Sequence, residues 1–327
     1  MIVLGLETSC DETSAALVHN GREILANTIA SSLEFHKKYG GIIPEIASRM
    51  QLETITSITE GALKKAKLKL KDIDLIGVTS GPGLVGSLLV GISFAKSLSL
   101  GLDKPLLGVN HVYSHFYANF LTGEKIKLPF VALVVSGGHT NLFYIRDFDK
   151  IEVLGETRDD ACGEAFDKVA KILNLGYPGG PAIEKMAKLG QSNKIRFNCS
   201  GTKEELDFSF SGIKTAVLYY VKDRRLSTGE KADISASFQE AVVDTLVKKA
   251  ILACKIKKVS RLVVGGGVVA NNRLRDKFYE AAAAHNLNCY FPAQSLCMDN
   301  AAMIAGLAYQ LFKKGYRSDL SLTVDLN

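Results

Sequence analysis

The chain has 327 residues, of which 47% are hydrophobic and 23% are charged. This balance excludes a disordered chain, a collagen-like repeat and a coiled coil, and at roughly 150 residues per domain the length predicts about two domains. The net charge of +6 is compatible with a polyanionic partner such as nucleic acid, and equally with a basic, well-solvated surface.

An internal repeat organises the chain. Each copy opens with a predicted three-stranded meander whose first turn is rich in glycine or hydroxyl residues. A strand, a glycine loop and a helix follow in each copy. The first copy comprises residues 2–6, 15–20, 23–30 and 74–98, and the second comprises residues 130–136, 141–147, 151–157 and 261–278.

This repeat predicts an α/β fold with two similar domains, 1–127 and 128–327, whose mixed sheets face each other across a cleft. Apolar residues at helical spacing predict further helices around 165–173 and 238–254. The last helix, about residues 299–315, is expected to pack back on the first domain.

The stretch 75–95 carries no charge and is long enough to span a membrane. Its five glycines and Pro82 favour a buried strand, a tight loop and a buried helix instead. The first residues contain no basic residue before the carboxylate Glu7. None of the six cysteines has CxxC spacing. We therefore expect a cytoplasmic protein with reduced thiols and no membrane association.

Three glycine-rich turns follow predicted strands, at 80–83, 136–138 and 265–267. Glycine allows the backbone to approach a phosphate closely, and a following helix offers its amides. The turns match neither the dinucleotide-binding pattern GxGxxG nor the P-loop pattern. They indicate a nucleotide cleft of another kind, unless glycine serves only the local geometry.

His111 and His115 are four residues apart, so that on a helix they share one face and have metal-ligand spacing. Asn110 is a plausible helix cap before them, and Asp299, which precedes the last helix, is a candidate third ligand. Such a set suits Fe(II) or Zn(II). The alternatives are a hydrogen-bonded histidine pair and a capping aspartate, and Val112 stands where a zinc protease would need its glutamate.

Two further motifs leave alternatives open. Asp167 either binds ribose hydroxyls or forms a surface ion pair with Lys171, and the turn 177–181 either contacts a base or sugar or is a plain loop. Basic residues cluster at 64–71, 222–225 and 248–261. These clusters are either solvated faces or sources of phosphate contacts to RNA.

Together the motifs resemble those of the universal tRNA threonylcarbamoyladenosine-synthesis family, within the actin, sugar kinase and Hsp70 (ASKHA) superfamily. The similarity spans nearly the whole chain, through ETSCDET at 7–13, HKKYGGIIPEIASR at 36–49, SGPGLVGSLLVG at 80–91, NHVYSH at 110–115, VSGGHT at 135–140, GEAFDK at 163–168, YPGGP at 177–181, FSFSGIKT at 208–215, GGVVAN at 266–271 and DNAAM at 299–303. The resemblance implies two duplicated ASKHA domains around a nucleotide cleft. It also implies transfer of a threonylcarbamoyl group from threonylcarbamoyl-AMP to N6 of the adenosine 3′ of the anticodon, in tRNAs that read codons beginning with A.

The family's site residues carry over by motif. The metal ligands would be His111, His115 and Asp299, holding one divalent ion, Fe(2+) first and Zn(2+) second. The substrate-binding residues would be Val135, Ser136, Gly137, Gly138, His139, Asp167, Gly180, Asn271 and Glu184, the last of which stands where many relatives have Asp. ATP or ADP, with Mg(2+), is a further expected ligand, and a TsaB-like inactive paralogue and a TsaE-like P-loop ATPase are expected partners beside tRNA.

The adenine N6 amine is a poor nucleophile, so this reaction needs proton removal. Asp11 or Glu12 is the candidate for that role or for positioning the phosphate. Gln51 departs from relatives, many of which have His there. Two other functions stay open, an ASKHA-type small-molecule kinase or ATPase and an inactive scaffold, neither of which needs the metal ligands.

Overall fold

The computed structural model describes residues 1–325, which form two compact units. The first unit contains Met1–Ile126 together with the described residues from Pro292 onward, and the second contains Lys127–Phe291. The sequence predicted a second domain from 128 to 327, of which residues 326 and 327 lie outside the described part. In the structure the second unit begins at Lys127 but ends at Phe291, and the described residues after Phe291 belong to the first unit.

Each unit contains one five-stranded mixed sheet. The strands are β1 Ile2–Glu7, β2 Glu12–His19, β3 Glu23–Ser31, β4 Leu75–Gly81, β5 Leu106–Asn110, β6 Phe130–Val135, β7 Thr140–Asp147, β8 Lys150–Glu156, β9 Arg261–Gly265 and β10 Asn288–Tyr290. The orders are β3-β2-β1-β4-β5 and β8-β7-β6-β9-β10. Since β6 to β10 repeat the arrangement of β1 to β5 one for one, the predicted duplication is confirmed.

Helices pack on both sheets. They are α1 Leu33–Lys37, α2 Pro44–Ala66, α3 Val85–Leu102, α4 His111–Tyr117, α5 Cys162–Ile172, α6 Gly179–Ala187, α7 Ser211–Val221, α8 Thr228–Lys257, α9 Asn272–Ala284 and α10 Ala301–Lys313. The stretch 75–95 contains β4, a tight loop and the start of α3, as predicted. The prediction that this helix is buried is wrong, since only 28% of α3 is buried. By length and composition alone α3 would be able to cross a membrane, which is weak evidence because core helices of soluble proteins meet the same criterion.

The last helix, α10, packs on the sheet of the first unit through a face of small residues. Ala301, Ala305 and Ala308 are fully buried, and the amide of Ala301 donates to Ser14 Oγ at 3.0 Å. Asn300 caps this helix, because its Oδ1 accepts a hydrogen bond from the amide of Met303 at 3.2 Å. The alternative prediction that Asp299 caps this helix is therefore wrong.

Parallel pairing determines where the loops of each unit lie. β1 pairs with β4 and β4 with β5, all in parallel, and β6 pairs in the same way with β9. The carboxyl ends of parallel strands meet at one edge of a sheet, where α/β proteins place their ligands. In the first unit this edge carries the loops after β1, β4 and β5, and in the second it carries the loops after β6 and β9.

Candidate functional site

The two histidines and Asp299 come together in the first unit. Asp299 Oδ1 lies 3.7 Å from His111 Nε2 and 3.4 Å from His115 Nε2, and one potential ligand atom from each residue lies within 4.8 Å of the others. Ligands bound at about 2.1 Å to one ion are at most roughly 4.2 Å apart, so only small adjustments separate this set from a three-ligand site. The histidines are buried, and the Asp299 side chain is 19% exposed.

Helix α4 presents the histidines at this place because it begins directly after β5, at the carboxyl edge of the sheet. Asn110 Oδ1 caps the helix by accepting a hydrogen bond from the amide of Tyr113 at 3.0 Å, as the sequence predicted. The two rings lie edge to face, with centroids 4.7 Å apart. The helical spacing of four residues thus produces the shared face that it predicted.

A buried carboxylate at the end of β1 orients the first histidine. Glu7 Oε2 lies 3.0 Å from His111 Nδ1 and accepts a hydrogen bond from Thr79 Oγ1 at 2.7 Å. Its Oε1 accepts from the amide of Ser9 at 2.5 Å. A carboxylate on Nδ1 leaves Nε2 facing Asp299, which is the arrangement that orients imidazole ligands in metal sites.

The pKa values reflect negative charge concentrated in a buried place. Burial lowers the pKa of His111, but the charges of Glu7 and Asp299 outweigh burial and raise it to about 9. Burial raises the pKa of Asp299 to about 6, against the opposing charge of His111. Burial raises that of Glu12 well above its usual range, and the charges of Asp299 and Asp11 add to this shift. Such an excess of carboxylates around imidazoles fits a divalent cation.

The loop after β1 carries Asp11 and, at the start of β2, Glu12. The Asp11 carbonyl accepts hydrogen bonds from the amide and hydroxyl of Ser32 at 3.0 and 2.8 Å. The amide of Leu84 donates to the Ser9 carbonyl at 2.8 Å. Gly83 packs so closely there that a Cβ would overlap this carbonyl oxygen, so close packing explains the glycine at this position.

Gln51 of α2 holds the same loop from the other side. Its Nε2 donates to the carbonyls of Cys10 and Glu12 at 2.8 and 3.1 Å, and lies 3.4 Å from that of Thr8. The side chain is buried. The residue that departs from many relatives therefore fixes the backbone that carries Ser9, Asp11 and Glu12.

In the second unit, the predicted turn from Val135 to His139 joins β6 to β7. The amide of Ser136 donates to the His139 carbonyl at 2.8 Å, and the space beside the Cα atoms of Gly137 and Gly138 is open. The first amides of α5 donate to the carbonyls of Ser136 and Gly137. These amides are thus used within the fold, and the open side of the glycines is the part of the turn that a ligand can reach.

Asp167 contacts Gly179, the residue that precedes Gly180. The amide of Gly179 donates to Asp167 Oδ1 at 2.6 Å, and no atom lies within 4 Å of a Cβ built on Gly180. Burial raises the pKa of Asp167, although this hydrogen bond opposes the shift. Among residues 1–325 no ion pair joins Asp167 to Lys171, so that alternative is not observed.

The last two predicted substrate residues meet at the start of α9. Asn271 Oδ1 caps α9 through the amide of Leu274, and its Nδ2 donates to Gln239 Oε1 at 2.8 Å. Glu184 Oε1 accepts hydrogen bonds from the amide and Nδ2 of Asn272 at 3.0 and 2.8 Å. Both side chains are engaged by the protein, and their role toward substrate stays a prediction.

Sequence reasoning missed Glu7 and gave Gln51 no role. Glu7 had a signal, since it is a carboxylate at the end of an apolar strand and opens the motif ETSCDET. Gln51 had no such signal, because its three acceptors are main-chain carbonyls, which are present at every position of every sequence.

Comparisons with known proteins identify the family. A model of the TsaD family, tRNA N6-adenosine threonylcarbamoyltransferase, matches residues 23–306. The chain belongs to this family. The family resemblance inferred from the motifs is therefore confirmed.

Full-length relatives agree with the family model. The tRNA N6-adenosine threonylcarbamoyltransferase of Clostridium kluyveri is 50% identical over 324 residues, covering 98% of this chain and 95% of the relative. The protein of the same name from Dictyoglomus turgidum is 50% identical over 329 residues, covering 99% and 98%.

Two solved structures resemble this chain in fold at low sequence identity. HypF of T. kodakarensis has a TM-score of 0.66 at 15% identity, covering 99% of this chain and 49% of that one. Component A of the Acidaminococcus fermentans (R)-2-hydroxyglutaryl-CoA dehydratase has a TM-score of 0.55 at 16% identity, covering 95% and 98%. At this identity they bear on the fold alone, and they confirm the predicted ASKHA-type architecture.

Proposed function

We propose that this protein transfers the threonylcarbamoyl group of threonylcarbamoyl-AMP to N6 of the adenosine 3′ of the anticodon, in tRNAs that read ANN codons. Membership of the tRNA N6-adenosine threonylcarbamoyltransferase family is the observation that carries this proposal. It favours acyl transfer over a small-molecule kinase or an inactive scaffold, since the relatives are named as transferases.

We further propose that His111, His115 and Asp299 hold one divalent metal ion, Fe(2+) in first place and Zn(2+) in second. The donor set of two imidazoles and one carboxylate supports this assignment. When bound, such an ion supplies a Lewis acid for carbamoyl or phosphate oxygens. Glu7 would hold His111 in the tautomer that carries its proton on Nδ1 and presents Nε2 to the metal ion. The Ser9 amide and the Thr79 hydroxyl would hold the two carboxylate oxygens of Glu7, and the Ser9 hydroxyl would hold the His111 ring.

The acyl adenylate would bind in the second unit, on the loops after β6 and β9. The open side of Gly137 and Gly138 accepts a close approach by a phosphate or ring. Asp167, which is hydrogen-bonded to the amide of Gly179, would offer its carboxylate to ribose hydroxyls. ATP or ADP, with Mg(2+), would use the same loops.

Proton removal from the N6 amine would fall to Asp11 or Glu12. Gln51 and Ser32 immobilise the backbone that carries both carboxylates. A fixed base contributes more than a mobile one, because its position needs no reorganisation during the reaction.

The same proposal includes a cytoplasmic location and three partners: tRNA, a TsaB-like inactive paralogue and a TsaE-like P-loop ATPase. The test is nucleoside analysis of unmodified tRNA after incubation with this chain, threonylcarbamoyl-AMP and the two partner proteins. We expect N6-threonylcarbamoyladenosine in the tRNA. Unmodified tRNA, together with phosphorylation of a small alcohol by ATP, would support the kinase instead, and inactivity in both assays would support the scaffold.

A further inference from the structure

A group of exposed aromatic and basic side chains lies at the C-terminal end of α7 and in the residues that follow it. We call it the tyrosine–arginine patch, and it consists of Leu218, Tyr219, Tyr220, Lys222, Arg224 and Arg225. Ile213 and Val217 of the same helix are fully buried. The patch therefore stands on a helix that is anchored in the core of the second unit.

Three large side chains in a row are exposed here. Tyr219 is 70% exposed, Leu218 49% and Tyr220 36%. Tyr220 is held in place, since its ring packs edge to face on Phe197 at 5.9 Å and the Arg224 guanidinium lies 4.6 Å from its centre. Tyr219 has no such ring or cation partner among residues 1–325, so its face is open to a planar ligand.

The charge of the patch is positive. Residues 218–225 contain three cations and one carboxylate, Asp223, which gives a net charge of +2. Arg224 pairs with Glu230 at 3.0 Å. Within the part of the chain that the structure describes, Lys222 and Arg225 have no carboxylate within 4.0 Å, and both are exposed. Their charges are thus available to an anionic partner.

We propose that the tyrosine–arginine patch binds unpaired nucleotides of tRNA. A base stacks on the ring of Tyr219, and Lys222 and Arg225 contact the flanking phosphates. Proteins that bind single-stranded nucleic acid combine these two elements, a cationic path for the backbone and aromatic rings for the bases. The proposal rests on the proposed function, which makes tRNA the substrate.

The other basic clusters contain no aromatic ring in their own segments. Residues 64–71 and 248–261 contain lysines and arginine but no aromatic residue. Charge alone gives binding without preference for unpaired bases. Lys249 and Lys257 of the second cluster lie over the rings of Phe208 and Tyr144, but these rings are buried and half-buried, whereas the Tyr219 ring of the patch is 70% exposed. This open ring distinguishes the patch from a solvated basic face.

The test measures binding of the full chain to unmodified tRNA by fluorescence anisotropy over a range of salt concentrations. Tyr219→Ala should weaken binding at least about fivefold, the lower end of what one stacked base contributes, whereas Tyr219→Phe should bind as the wild type does. The double variant Lys222→Ala/Arg225→Ala should lower the slope of log K against log salt by about 1.4, or roughly 0.7 for each phosphate contact. Lys64→Ala/Lys65→Ala removes the same charge from a cluster without rings and is the matched control.

Equal weakening by the two lysine-containing double variants would overturn the proposal, because binding would then follow charge alone. Unchanged binding by Tyr219→Ala, or no measurable tRNA binding by the wild type, would also overturn it. The proposal would also be overturned if the patch variants lost binding to anionic lipid vesicles but kept wild-type tRNA binding, because the patch would then be a membrane contact. The transfer assay separates failure of this proposal from failure of the proposed function. If the wild type modifies tRNA and the patch variants have the same KM for tRNA as the wild type, only the patch proposal is rejected.

Discussion

Replacing Gln51 by leucine tests whether the loop after β1 is held by the buried amide. The substitution removes two good hydrogen bonds, to the carbonyls of Cys10 and Glu12. Both carbonyls are part-buried, and that of Cys10 keeps a long hydrogen bond from the Ser87 hydroxyl at 3.5 Å. At about 2 kcal/mol for each lost bond, the loss comes to about 4 kcal/mol. Gln51 Oε1 has no hydrogen-bond partner among the described residues, and its removal returns about 2 kcal/mol on the same scale. We therefore expect Gln51→Leu to be less stable by about 2 kcal/mol.

Urea unfolding followed by circular dichroism measures this loss, as a lower midpoint at an unchanged slope. Thr59→Val is the matched control, since Thr59 is a buried polar residue of the same helix. Within the described part of the chain its hydroxyl bonds only to the Ile55 carbonyl, in its own helical turn. Gln51→His keeps a donor at the position and should lose less. A change of less than about 0.5 kcal/mol in the free energy of unfolding is the size of an ordinary surface substitution. If Gln51→Leu, like Thr59→Val, changes the free energy of unfolding by no more than this, then the amide does not stabilise this loop and the reasoning is refuted.

Three further predictions concern single carboxylates. Asp299→Ala should abolish threonylcarbamoyl transfer and metal retention while circular dichroism shows an intact fold, because Asn300 and not Asp299 caps α10; transfer near the wild-type rate would remove Asp299 from the site. Glu7→Gln should weaken metal affinity about 10- to 100-fold in a chelator competition, since an amide cannot accept from both Ser9 and His111; unchanged affinity would contradict this role. Hydrogen bonds from Arg273 hold the pKa of Glu240 at about 2, so the stability that Glu240 contributes is present above its unfolded pKa and is lost as pH falls through 2. Glu240→Gln should therefore be less stable than the wild type at pH 7 and equally stable at pH 2. An equal difference in stability at both pH values would exclude the Arg273–Glu240 pair as the cause.

The candidate site was predictable to the extent that its signals are local. The spacing of His111 and His115 and the cap at Asn110 are read within one helix, and both have the predicted geometry. The glycines of the turn after β6 also lie where the strand pattern placed them. The hydrogen bonds of Glu184 to Asn272 were not predictable, because they depend on how α6 and α9 pack.

The sequence by itself determined the duplicated architecture, since two-residue and helical periodicities, with glycine turns between them, are properties of short segments that recur in both halves. Only the tertiary structure decided which distant residues meet. Asp299 reaches His111 and His115 because the alanine face of α10 packs on the first sheet, and Glu7 reaches His111 because β1, β4 and β5 end at the same edge. These contacts follow from the packing of whole elements, which no local pattern in the chain encodes.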